Sequence, residues 1–169
     1  MGIIARQVNK HRNQNLAAAR LYRATRSPGE VLDALRAFTE DTNAELRAAI
    51  LSKKKTRLGQ WALGDGPRAV TKYYDVVNQD TNAHIAFGWS AAKILAGDKA
   101  WRTNGAWLAR LTTTQTDDGT ELAITLLAWT IDGENARMKN LDRYEQLIAD
   151  LVARLQAAPV AMPEAIRPD

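Results

Sequence analysis

Two histidines, His11 and His84, are all the imidazole this chain offers, and it has no cysteine. A zinc or iron site needs several nitrogen, sulfur or oxygen donors at close spacing, so no metal motif is present. Disulfides, iron–sulfur clusters and thiol nucleophiles are excluded outright. His84 stands in a strand-like run with Asp75 and Asp80 across the neighbouring turn, which are the ingredients of a general base. No nucleophile accompanies it, and a lone strand histidine is more often structural. Ser90, in Gly88-Trp89-Ser90-Ala91, lacks the second glycine of a nucleophile elbow. The carboxylates of Asp117-Asp118 and of Asp132-Gly133-Glu134 fall in turns, where acidic side chains serve their own backbone. Gly64-Asp65-Gly66-Pro67 has the glycines of a phosphate loop without its lysine and hydroxyl residue, and the proline removes an amide donor. The sequence therefore nominates no catalytic residue, no metal and no cofactor, and it points away from an enzyme.

Binding chemistry is better represented. Five tryptophans are many for 169 residues, and Trp61, Trp89, Trp107 and Trp129 fall with Tyr73 on strand-like runs, where large amphipathic rings can line a ligand cavity. Strand aromatics are also ordinary core, so each ring by itself has two readings. Charge is unevenly placed: residues 1–29 carry six basic and no acidic side chains, and residues 1–57 carry twelve basic and five acidic ones, within a chain of net charge +4. Arg6, Lys10, Arg12, Lys53, Lys54, Lys55 and Arg57 are thus the candidates for holding a polyanion such as nucleic acid. A solvated basic arm, and lysines meeting the negative end of a helix dipole, explain the same residues without a ligand.

These groups must be positioned by elements whose pattern is written along the chain. Residues 1–15 form a polar basic arm, 16–156 a single domain, and 157–169 a proline-rich tail. Residues 16–25 suit a first strand, with Ala17-Ala18-Ala19 equally suited to a helix. Ser27-Pro28-Gly29-Glu30 starts a helix: serine caps, proline fits the first position, and glutamate closes a capping box. Val31, Leu32, Leu35 and Phe38 make its stripe, ending near Thr39, and a second helix takes over around Thr42 with Leu46, Ala49 and Ile50 inward.

Past Arg57 the period shortens to that of strands. Leu58–Leu63, 69–77, 83–90 and, more weakly, 93–101 are separated by turn residues. The clearest hairpin joins 106–114 to 120–131 across Thr116-Asp117-Asp118-Gly119, where glycine supplies a positive φ. In its second strand Leu122, Ile124, Leu126 and Ala128 share one face, and Ala123, Thr125, Leu127, Trp129 and Ile131 the other, which marks an interior strand. Asn140 introduces a helix from Leu141 to about Gln156, with Leu141, Tyr144, Leu147, Ile148, Leu151, Val152 and Leu155 on one stripe. The expected class is α+β: a curved antiparallel sheet gripping a long C-terminal helix, with two helices after the first strand.

That order, resting on Ser27-Pro28-Gly29-Glu30-Val31 after the first strand and on the helix from Leu141, resembles the START-like or polyketide cyclase/dehydrase superfamily over residues 16–156. The resemblance implies a helix-grip fold whose cavity, between sheet and long helix, binds a lipid or other apolar small molecule without catalysis. Two other readings stand beside it. One is a structural or assembly protein, of a phage particle or another multi-subunit complex, whose terminal arms order against a protein partner or further copies of itself. The other is nucleic-acid binding through residues 1–57. The longest apolar run, Leu122–Trp129, is far short of the roughly 20 residues of a membrane span. The N-terminus has no apolar signal core, and Arg6 stands where a myristoylation motif needs Ser or Thr, so a cytoplasmic protein is expected.

Overall fold

The computed structural model describes residues 15–54, 73–132 and 137–160. Its main sheet has six antiparallel strands in the order β2-β3-β4-β5-β1-β8. These are β1 (Arg20–Ala24), β2 (Tyr74–Gln79), β3 (Asn82–Phe87), β4 (Trp107–Thr116), β5 (Gly119–Trp129) and β8 (Ala158–Pro159). A two-stranded ribbon of β6 (Ile131–Asp132) and β7 (Arg137–Met138) continues from the end of β5. Among the described residues the α-helices α1 (Pro28–Lys54), α2 (Ala91–Leu95) and α3 (Leu141–Leu155) accompany them, and residues 15–17 are helical as well. The class is α+β, with the open antiparallel sheet and the C-terminal helix that the hydrophobic patterning predicts. None of the described helices is long and apolar enough to cross a membrane.

The capping box forms as the residues require. Glu30 accepts from the Ser27 amide at 2.9 Å and from its hydroxyl at 2.8 Å, while the Glu30 amide donates to Ser27 Oγ. The expected break near Thr39 does not occur, and α1 runs unbroken for 27 residues. No glycine or proline interrupts it after Gly29, and Thr39 spends its hydroxyl on the Arg36 carbonyl within the same helix at 2.8 Å, which removes its reason to leave helical geometry.

The stretch expected as a strand over 93–101 is instead helical. The Asp75 carboxylate accepts the Ala91 amide at 2.6 Å at the start of α2. At its end Gly97, with φ of 86°, donates to the Ile94 carbonyl and Asp98 to that of Lys93, a Schellman closure. A short 3-10 helix, Ala100–Thr103, comes next, begun by the Asp98 carboxylate on the Ala100 amide.

The hairpin of β4 and β5 turns at Asp117-Asp118 with Thr116 opposite Gly119. Gly119, at φ of 135°, lies so close to β1 that a Cβ there would collide with the Ala24 carbonyl. The first strand is shorter than its apolar pattern, beginning only at Arg20. The tail read as lying outside the domain contributes β8, and just after it the Val160 amide donates to the Leu21 carbonyl at 2.9 Å. Residues 156–157 make the turn that brings it there, with Gln156 left-handed at φ of 51°.

The core sits on one face of this sheet. Ile85 and Phe87 of β3, Trp107, Ala109 and Leu111 of β4, and Leu122, Ile124 and Leu126 of β5 alternate inward. Val31, Leu32, Leu35 and Phe38 of α1 and Tyr144, Leu147, Ile148, Leu151 and Leu155 of α3 cover them. At about 1.5–3 kcal/mol for each large apolar side chain buried, this layer dominates the stability of the fold. A smaller cluster of Ala86, Ala91, Ile94, Ala106 and Leu108 lies on the opposite face.

Candidate functional site

The structure describes four of the five aromatic candidates, each in a different setting. Trp107 is completely buried on the inner face. Its ring stacks on Phe87 and meets Tyr74 and Tyr144 edge-on, with centroids 6.1, 6.0 and 5.4 Å away. Tyr73 is half-buried just before β2, beneath the Arg47 guanidinium. Trp89 is half-buried in the loop after β3, which ends at Phe87 rather than Ser90, and carries Lys93 over its ring at 5.5 Å. Trp129 stands opposite Trp107 in register and is half-buried. Trp61 lies outside the described residues.

The space between sheet and α3, where the helix-grip resemblance puts a cavity, is occupied by the protein's own side chains. Trp107, Tyr144, Leu111, Ile124, Leu147 and Leu151 are each no more than 1% exposed there. Two polar atoms in that layer, Trp107 Nε1 and Tyr144 Oη, find no hydrogen-bond partner among the described residues. Burial pushes the Tyr144 hydroxyl up to about 12, although Arg20, 5.3 Å over its ring, pulls the other way. Arg20 is itself held by two hydrogen bonds to the Glu145 carboxylate, both 2.7 Å. That fork holds the carboxyl below the usual carboxylate range. Among the early basic residues, Arg20 and Arg26 thus serve the fold, the latter donating to the Arg154 carbonyl. The backbone of Lys53 and Lys54 closes α1, with their side chains outside the description. Arg6, Lys10, Arg12, Lys55 and Arg57 also lie outside the described residues.

His84 has no catalytic company. It faces the outer side of the sheet opposite Val77 and Arg110. Burial first, and then Arg110, lower its pKa. Its Nδ1 has no hydrogen-bond partner among the described residues, and Asp75, one of the two acids considered for it, accepts the Ala91 amide.

Apolar surface is instead gathered at one end of the outer face. A register shift between Leu108 and Ala109 pairs Leu108 with Ala128 and Ala109 with Leu126, so Leu127 is an extra residue in β5. The bulge re-aims the residues after it. Ala128 turns to the outer cluster, Trp129 packs at the margin of the core, and Leu127 is left 40% exposed. The strict alternation expected for this strand therefore fails after Leu126. Just beyond it, Trp101, Arg102, Ala128, Trp129, Thr130 and Ile131 line an open cleft of about 440 Å³. Ile131 is 47% exposed, and Leu95, at the end of α2, 46%. Trp101, Arg102 and Ile131 were not singled out by sequence reasoning. The available signal was Ile131, which prolongs an apolar strand face past its last paired residue.

Thr130 holds the cleft together. Its amide and hydroxyl both donate to the Ala106 carbonyl at 3.1 Å, and its own carbonyl accepts the Lys139 amide at 2.7 Å. Among the described residues no group of three or more acidic or histidine side chains is placed to hold a metal ion. Comparison with protein-family models, with curated proteins and with solved structures finds no match to this chain.

Proposed function

We propose that this chain is a non-catalytic docking module of a larger assembly, which holds an apolar group of its partner in the cleft between Trp101 and Trp129. The observation that carries this reading is the exposed apolar surface at the cleft, where Leu127 and Ile131 are 40% and 47% exposed near the half-buried Trp101 and Trp129. Large apolar side chains left in water together on one side of a well-packed domain mark a binding surface. The well-filled layer under α3 favours this position over an internal ligand cavity.

A second reading is favoured by the cleft's size. At about 440 Å³ it falls in the range of small-molecule sites, so an apolar small molecule is the alternative occupant, in keeping with the ligand-binding expectation but on the other face of the sheet.

Native mass spectrometry beside the denatured mass separates the two. The docking reading predicts an oligomer or a partner complex that Ile131→Asp dissociates without lowering the melting temperature, because Ile131 is surface in the isolated chain. A small mass lost on denaturation, and absent from Ile131→Asp, establishes the ligand reading instead. Assembly or adduct indifferent to Ile131→Asp contradicts the cleft as the site.

A further inference from the structure

We infer that the free edge of β2 is a contact for a second copy of this chain, the two β2 strands pairing antiparallel about a two-fold axis at Val77. This goes beyond the docking reading and uses none of the cleft's residues.

The two edges of the main sheet are finished differently. One ends in β8, only two residues long and including Pro159, which has no amide to donate. The other is β2, which pairs with β3 in unbroken register and carries no proline, lysine or bulge, the devices that usually guard an edge. Its first residue is already taken. The Asn43 carboxamide accepts the Tyr74 amide at 2.8 Å and donates to the Tyr74 carbonyl at 2.9 Å, the same two bonds that a residue of a neighbouring strand exchanges. Because backbone direction alternates along a strand, Val76 and Asn78 point their amides and carbonyls the way Tyr74 does. Among the described residues they have no partner on that side.

The flanking helix argues for a copy of the same chain. Arg47 lies over the Tyr73 ring and Asn43 holds Tyr74, while Arg36, Thr39 and Glu40 line an open recess of about 350 Å³ with Val76 and Asn78. α1 thus runs opposite to β2, with Glu40 toward the Val76 end of the free stretch and Arg36 toward the Asn78 end. A two-fold axis at Val77 sets Val76 against Asn78 of the second copy, and Asn78 against its Val76, each pair exchanging both backbone bonds. The half-buried Val77 meets its own counterpart, a favourable β-branched pair. The same axis brings Glu40 toward Arg36 of the second copy and Arg36 toward its Glu40, so opposite charges face each other at both ends. Neither is strongly held within the chain: Arg36 has Asp33 at 3.8 Å, an exposed pair one helical turn apart, which is a weak tie. Asp75, the one charged residue of β2, falls opposite Gln79 in this register, so no like charges oppose each other along the strands. An unrelated strand would find the hydrogen bonds but not this charge match.

The test is sedimentation equilibrium of the full chain carrying Ile131→Asp, which disables the cleft throughout. The contact is small and belongs to the weak, transient class, so it is read up to about 1 mM protein, well above the concentrations of native mass spectrometry. A monomer–dimer equilibrium is expected. Arg36→Glu or Glu40→Arg alone should weaken it about tenfold, since each turns two symmetry-related attractions into repulsions, and the two substitutions together should restore it. A chain that stays monomeric at every concentration overturns the inference. A dimer indifferent to both reversals overturns it too, by placing the contact elsewhere. Either failure leaves the docking reading standing, because the cleft is disabled in every sample.

Discussion

The two faces of the central sheet solve the problem of burial differently. The inner face is roofed by α1 and α3, and from Phe38 through Tyr74, Phe87 and Trp107 to Tyr144 its aromatic rings touch in an unbroken chain. Among the described residues, the outer face has the five residues of α2 and a short 3-10 helix over one end. Elsewhere it shows Thr112, Thr125, Arg110 and His84 together with Leu21, Val77 and Ala123, half-buried or exposed. The difference teaches where function can reside. A face whose side chains are buried under two helices has little surface to offer a partner, while the partly covered end of the other face keeps apolar side chains in reach of one.

The comparison breaks first on stability. Leu111 and Thr112 are neighbours on β4 that point to opposite faces, Leu111 fully buried and Thr112 not. Leu111→Ala should cost about 2–5 kcal/mol through the lost burial and the cavity left behind, and Thr112→Ala no more than about 0.5 kcal/mol. Urea denaturation of the pair checks this, and comparable losses would mean that the outer face is covered as heavily as the inner.

A finer contrast lies within the inner layer. Tyr74 donates its hydroxyl to the Arg143 carbonyl at 2.9 Å and so ties β2 to α3, whereas the Tyr144 hydroxyl has no partner among the described residues. Tyr74→Phe should therefore cost about 0.5–1.5 kcal/mol, and Tyr144→Phe should be neutral or mildly stabilising, because it removes a buried hydroxyl that gains nothing from the fold. Thermal melts of the two variants decide this, and a destabilised Tyr144→Phe would reveal a partner for that oxygen.

Features were legible in the sequence to the degree that their causes are local. The capping box of Ser27 and Glu30, the Asp117-Asp118 hairpin with Gly119, and the stripe of α3 depend on residues within a few positions of one another, and all three form. The continuity of α1 was hidden by Thr39 and Thr42, residues that often end helices but here remain within one. The helix α2 was hidden because the carboxylate at its start belongs to Asp75, sixteen positions earlier. Asn140 precedes α3 as its residue type suggests, yet its side chain bonds to the Gly105 carbonyl instead of capping the helix. The cleft was least legible of all. Trp101 reaches Trp129 and Ile131 only through the packing of a loop onto the sheet, and the β-bulge at Leu127, a property of strand register, decides which way Ala128 and Trp129 turn.

The central claim, a filled interior and an accessible outer cleft, is tested most directly by following the indole N–H signals of the protein as benzene, a small apolar probe, is added. Shifts at Trp101 and Trp129 with Trp107 unmoved are the predicted result. A shift at Trp107 that leaves Trp101 and Trp129 in place would contradict the account, since it would put the ligand space between the sheet and α3.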